Sequence, residues 1–252
     1  MSSKFQVKLD KKNNRVIKSG PSDFLKLEAL MTNKAYVVSR KHEIFCVPKV
    51  LSFDSSLGIL ETELIQDISP LKPLLYDKLS LVALLDKTAE AIFIIHDNIV
   101  LDKNEIFYLP NNFMDDDCPN TAIHGDFTLR NVQYDVNKRI PVLIDWSFCP
   151  KYHMLANYGS RYFDLAFMVN SIFSSPPYDF IFSDKHRHEM AMHFIKSYFR
   201  HMQSTIEYGI FTNYLKKLSR ILYKQAKIDS SLLKTIKERR NRLNFIEFAN
   251  SL

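Results

Sequence analysis

His124-Gly125-Asp126-Phe127-Thr128-Leu129-Arg130-Asn131, followed by Val142-Leu143-Ile144-Asp145-Trp146, is the stretch that decides the reading of this chain. Asp126 and Asn131, five residues apart, put a carboxylate and a neutral amide on one short loop. Asp145 follows three apolar residues that read as a buried strand, where a lone carboxylate is poorly solvated. A bound cation is a good reason for a carboxylate in that place. Phosphoryl transfer to a hydroxyl needs parts of this kind. One carboxylate orients the hydroxyl and accepts its proton, and further oxygens hold Mg2+ against nucleotide phosphates.

Outward from this block, the N-terminal side reads as β with one helix. Phe5, Val7 and Leu9 alternate with polar residues, and Arg15-Val16-Ile17-Lys18 follows a Lys-Lys-Asn-Asn turn, so 5–19 is a hairpin. Gly20-Pro21 breaks it, and Ser22 or Asp23 caps a helix with Phe24, Leu27, Leu30 and Met31 at helical spacing. Strands are expected near 44–53 and at 58–65. Past Ser69-Pro70 a helical stripe runs from Leu79 to about Ile95, short strands fall at Val132–Tyr134 and Val142–Ile144, and helices are expected at 161–172, 184–206, 211–227 and 230–249.

The composition is that of a globular chain: 252 residues, 46% hydrophobic, 25% charged, with only 5 Gly and 10 Pro. Three widely separated cysteines, Cys46, Cys118 and Cys149, exclude a disulfide framework or zinc finger and favour a cytoplasmic setting. No secretory leader is visible and charges interrupt every apolar run, so no transmembrane segment is expected. The net charge of +6 suits anionic ligands but is too small to suggest nucleic acid. It is uneven: residues 185–252 carry 14 Lys plus Arg against 5 Asp plus Glu. That bias is either a solvated face or a surface for an anionic acceptor, with peripheral membrane contact left open. His186, His188 and His193 invite a metal reading, but His186 and His188 point to different helix faces, and Asp115-Asp116-Asp117 reads as a solvated loop.

The run from His124 to Trp146, with Asp164-Leu165-Ala166 downstream, resembles the aminoglycoside phosphotransferase and choline kinase family, the small-molecule branch of the protein-kinase-like superfamily. The resemblance implies an α+β, two-lobed protein-kinase-like fold. A reduced β-rich N-lobe spans 1–65 and a mainly helical C-lobe spans 66–252, with ATP between them. It implies Asp126 as catalytic base, Asn131 and Asp145 as Mg2+ ligands, and Asp164 as a structural buttress of the catalytic loop. By order and spacing, Lys18 matches the lysine that contacts the α/β-phosphates and Glu28 its carboxylate partner. The backbone at Glu63 and Ile65 matches the hinge that meets adenine. His124 is expected to pack under the loop as scaffold.

The resemblance has departures. No glycine precedes Gly20, so the Gly-rich loop over the phosphates is missing together with its leading strand, and the Lys18-to-Glu28 spacing is short. Thr128 stands where protein kinases carry a lysine, which favours a small-molecule or sugar acceptor over a protein. The expected activity is an ATP- and Mg2+-dependent phosphotransferase. A nucleotide-binding pseudokinase, and a kinase acting on a membrane-associated glycan or lipid, are the alternatives.

Overall fold

The structure is a computed structural model that describes residues 5–70, 78–115, 117–149, 154–174, 184–202, 205–225 and 232–252. Strands β1 (Gln6–Asp10), β2 (Arg15–Ser19), β3 (Val50–Asp54) and β4 (Ile59–Glu63) form one antiparallel sheet in the order β1-β2-β4-β3. The expected hairpin closes through Asn14 at φ 51° and through the Asp10 carboxylate, which accepts from Asn13 N (3.2 Å) and Arg15 Nε (3.0 Å). Its register pairs Val7 with Lys18 and Leu9 with Val16, which puts these four side chains on one face.

Helix α1 (Ser22–His42) begins without the expected side-chain cap. The N-cap is Pro21, and the Ser22 hydroxyl donates to the Ser55 carbonyl at 2.9 Å, tying the helix start to the β3–β4 turn. The helix also runs well past Met31, because Met31, Ala35 and Val38 pack into the main core of the C-terminal part. Leu25 and Ala29 instead pack under Leu60 of the sheet. The strand expected near 44–53 forms only at its end. Cys46 pairs instead with β8 (Ile140–Leu143), donating to the Pro141 carbonyl at 2.8 Å and accepting from Leu143 N at 2.9 Å. Backbone groups there find partners across the two regions rather than in the first sheet.

The remaining described chain holds β5 (Ile68–Pro70), α2 (Lys78–Asn98), β6 (Asn120–Ala122), β7 (Val132–Asp135), β9 (Phe148–Cys149), β10 (Met154–Leu155), β11 (Tyr158–Ser160) and helices α3 (Arg161–Ser174), α4 (Asp184–Met202), α5 (Thr205–Gln225) and α6 (Leu232–Ser251). Strands β5-β7-β8 make one small sheet, while β6 pairs with β11 and β9 with β10. Every residue from Tyr162 to Phe173 is buried, so α3 is an axle covered on all sides. Around it, α4 packs on α2 and α6 packs on α5. The break between α4 and α5 comes earlier than the sequence pattern suggested, because α5 starts at Thr205 and its Glu207 receives the Tyr162 hydroxyl. The fold is thus α+β, a small antiparallel sheet with one helix followed by a mainly helical region. No described helix is long and apolar enough to cross a membrane.

Candidate active site

The loop 124–131 leaves β6 and is held from behind by α3. Asp164, in the first turn of α3, is fully buried. Its carboxylate accepts from His124 N (2.7 Å), from Gly125 N (3.0 Å) and from the His96 imidazole (3.0 Å). One turn pair further along α3, the Ser171 hydroxyl accepts from Leu129 N at 3.0 Å. The sequence assignment of Asp164 as a buttress therefore agrees with its contacts. Gly125 must be glycine: its φ is +83°, and a Cβ there would lie 2.5 Å from the Ala156 carbonyl oxygen.

Asp126 and Asn131 meet across this loop. The Asn131 side-chain amide donates to the Asp126 carbonyl (2.8 Å) and to its carboxylate (2.9 Å), which sets the carboxylate's orientation. Among the described residues, Asn131 Oδ1 takes no hydrogen bond. Asn131 also fixes the second acidic loop, because its carbonyl accepts from Ile144 N at 3.0 Å. Ser147 N then donates to the His124 carbonyl at 2.7 Å. Between these anchors the backbone turns through left-handed conformations at Asp145 (φ 61°) and Ser147 (φ 69°), conformations that cost non-glycine residues about 1–2 kcal/mol each.

His124 is the shared floor of the two loops. Its ring stacks on Trp146 with centroids 4.4 Å apart, approaches the Ile144 carbonyl through Nε2 (3.1 Å) and accepts from Asp126 N through Nδ1 (3.4 Å). Complete burial pushes its pKa down to about 4, so it is a neutral scaffold that carries its proton on Nε2.

Lys18 joins the first sheet to this site. Its ammonium donates to Glu28 Oε1 at 2.5 Å and to Asp145 Oδ1, a residue 127 positions away. Burial by itself would lower the lysine pKa, but Glu28 and Asp145 outweigh it and raise it above its ordinary value. Burial, with Asp145 nearby, pushes the Glu28 carboxyl up against the opposing pull of Lys18. The ten-residue spacing is enough because β2 runs through Gly20-Pro21 directly into α1, with Glu28 in the second turn of that helix.

Glu63 and Ile65 lie at and just beyond the end of β4, where the chain leaves the first sheet for β5. Glu63 N donates to the Lys49 carbonyl at 2.8 Å, so any contact from this residue to a base must come from its carbonyl. The sequence reading missed what stands beside Lys18. Val7 and Leu9, 59% and 55% exposed, share its face with Val16 and offer an apolar surface beside the lysine. Their period-two alternation was the available signal. His96 and Tyr198 behind Asp164 left none. Among the described residues no group of three or more His, Cys, Asp or Glu converges. His193 instead faces Asp86, and His188 packs edge-on against Phe173 and Phe248. Asp115 is not simply solvated: it pairs with Lys217 at 3.0 Å. Asp116 lies outside the described residues.

No protein-family model matches the chain, and no curated protein matches it in sequence. Solved structures do match in shape. Amicoumacin kinase hAmiN, solved with AMP-PNP, Ca2+ and Ami, superposes with a TM-score of 0.61 at 12% identity, covering 96% of this chain and 85% of that one. A choline/ethanolamine kinase family protein from Mesorhizobium loti gives 0.57 at 11% identity, covering 100% and 94%. A thermostable mutant of aminoglycoside phosphotransferase APH(4)-Ia gives 0.55 at 16% identity, covering 99% and 91%. The fold is therefore the two-lobed, protein-kinase-like fold of the aminoglycoside phosphotransferases and choline/ethanolamine kinases.

Proposed function

We propose that this protein is a phosphotransferase that moves the terminal phosphoryl group of ATP, with Mg2+, to a hydroxyl of a small molecule or sugar. One observation carries the reading: Lys18, Glu28 and Asp145 converge from three separate segments, beside a loop on which Asn131 orients Asp126. Structural ion pairs alone do not call for a carboxylate on a strained turn beside a half-buried lysine, next to a loop whose amide orients a second carboxylate.

The donor set suits a hard, oxygen-preferring cation. Asn131 Oδ1 takes no hydrogen bond among the described residues, and the Asp145 carboxylate already faces a positive charge, the Lys18 ammonium. Few protein carboxylates fit Mg2+, which takes one or two of them and completes its shell with phosphates and water. When bound, the ion would supply neutralisation of phosphate charge. The residues would then divide the work. Lys18, held by Glu28, binds the α/β-phosphates; Asn131 and Asp145 hold the metal. Asp126 orients the acceptor hydroxyl and takes its proton as oxygen bonds to the γ-phosphorus and the bond to the β-phosphate oxygen breaks, leaving ADP. Val7, Leu9 and Val16 offer the purine an apolar surface, and Glu63 and Ile65 its edge contacts. The boundary near residue 65 then separates a nucleotide clamp, 1–65, from a region 66–252 that carries the catalytic loop and the acceptor site.

The acceptor is proposed to be anionic, or displayed on an anionic surface, because the exposed Arg220 and Lys224 lie one turn apart on α5. Lys217, beside them, is already engaged by Met114 O and Asp115, and Lys227 lies outside the described residues. A second reading, a nucleotide-binding module without turnover, draws on β1 being an edge strand and on the absence of glycine between Gln6 and Lys18. The test is a Mg·ATP hydrolysis assay, followed by a radiolabelled acceptor screen of aminoglycosides, amino alcohols, sugars and glycolipids. Asp126→Asn is expected to lower turnover about 10²–10⁴-fold with nucleotide affinity nearly unchanged. Near-wild-type turnover in that variant would refute the assignment, and binding without turnover in the wild type would favour the second reading.

A further inference from the structure

We propose that Tyr198 and His96 are positioning residues that act through Asp164 to hold the Asp126 loop, coupling α4 to the catalytic segment. The proposal rests on the reading of the site given above.

The four groups form one buried line. The Tyr198 hydroxyl lies 2.8 Å from His96 Nδ1, and His96 Nε2 lies 3.0 Å from Asp164 Oδ2. The same Oδ2 accepts from His124 N, and Oδ1 accepts from Gly125 N, the residue before Asp126. Tyr198 and Asp164 are 0% exposed and His96 is 2% exposed, so water does not substitute for any of these bonds.

The proton positions follow from chemistry. An ionised carboxylate only accepts, so His96 Nε2 carries the hydrogen and Nδ1 carries the lone pair. The Tyr198 hydroxyl therefore donates to His96 and His96 donates to Asp164, whose carboxylate also accepts the two amides of the loop. Burial lowers the His96 pKa and raises that of Tyr198, which keeps both groups neutral in this arrangement. Without the hydroxyl, Nδ1 is an orphaned acceptor in a dry site. Moving the hydrogen to Nδ1 relieves nothing, because the Nε2 lone pair then faces the Asp164 carboxylate. The hydroxyl thus sets the tautomer, the tautomer sets the contact with Asp164, and Asp164 sets the backbone one residue before Asp126.

A purely space-filling role for Tyr198 needs its ring only. That ring packs edge-on against Phe93 (5.7 Å), Phe199 (5.6 Å) and His96 (5.8 Å). Tyr198→Phe keeps these contacts and deletes the hydroxyl alone, so it separates the two roles.

Amide hydrogen exchange by NMR reads the effect without an acceptor. In Tyr198→Phe, the His124 and Gly125 amides are expected to exchange about tenfold faster, the equivalent of one lost hydrogen bond. The Ile144 amide, which donates to the Asn131 carbonyl, serves as internal reference and should not change. In Mg·ATP hydrolysis, kcat should fall about tenfold while KM for ATP stays within about twofold. His96→Leu should expose the same two amides, and adding Tyr198→Phe to it should change little, because both act on one line. Unchanged His124 and Gly125 amides, equal acceleration at all three amides, or additive effects in the double variant would each overturn the proposal. Survival of hydrolysis in Asp126→Asn would instead remove the reading of the site. The exchange result does not depend on that outcome.

Discussion

Asp164→Ala tests whether the loop is held from behind as the geometry requires. The native carboxylate is fully buried and accepts three N–H groups, from His124, Gly125 and His96. Alanine leaves all three donors buried and unpaired, each at a cost of about 1–3 kcal/mol. Part of that is recovered, because a buried charge no longer has to be desolvated. A net loss of about 3–5 kcal/mol is expected, a large share of the roughly 5–15 kcal/mol that stabilises a typical domain. Asp164→Asn keeps the shape and one acceptor oxygen. Its new N–H can be met by His96 if that ring changes tautomer, so the cost falls to about 1–2 kcal/mol, chiefly at the His124 amide. Urea unfolding followed by the fluorescence of Trp146, the single tryptophan and 1% exposed, measures both variants. Alanine within about 1 kcal/mol of the wild type, or asparagine as costly as alanine, would refute the three-donor account.

Gly125→Ala forces a Cβ to 2.5 Å from the Ala156 carbonyl at a φ of +83°, so a loss of about 2–4 kcal/mol is expected, visible as a lower midpoint in urea. An unchanged midpoint would mean that the loop backbone is not constrained as described. His124 makes stability depend on pH, since its native pKa of about 4 lies below the ordinary 6.5 because of burial. Neutral His124 contributes fully above about pH 6.5; as pH falls the unfolded chain takes the proton first, and roughly 3 kcal/mol is lost by about pH 4. Urea titrations at pH 7 and 4.5 should show a shallower dependence in His124→Gln, and equal slopes would refute it.

What could be read from the chain followed from how local each signal is. The pairing of Asp126 with Asn131, and the place of Asp145 after Val142-Leu143-Ile144, are short-range patterns whose chemistry is visible in the residues themselves. The first hairpin and the long helices were legible for the same reason, because alternation and helical spacing are repeated over many residues. Strands of two or three residues, such as β6, β9, β10 and β11, show no period, and their pairing exists only because distant segments meet. Cap chemistry at Ser22 misled because its hydroxyl found Ser55 across the β3–β4 turn instead of its own helix.

By itself, then, the sequence determined the chemical parts and their local places: a carboxylate and an amide five residues apart, a carboxylate after an apolar strand, a lysine on a strand and a glutamate on the next helix. Tertiary structure alone decided that the Lys18 ammonium lies between Glu28 and Asp145, that Val7 and Leu9 stand beside it, and that Asp164 is backed by His96 and Tyr198. These contacts join residues up to 127 positions apart. No local propensity encodes them. They arise because α3 is buried from Tyr162 to Phe173 and the elements packed around it bring distant segments together, where buried polar groups such as Asp164 and His96 meet their hydrogen-bond partners.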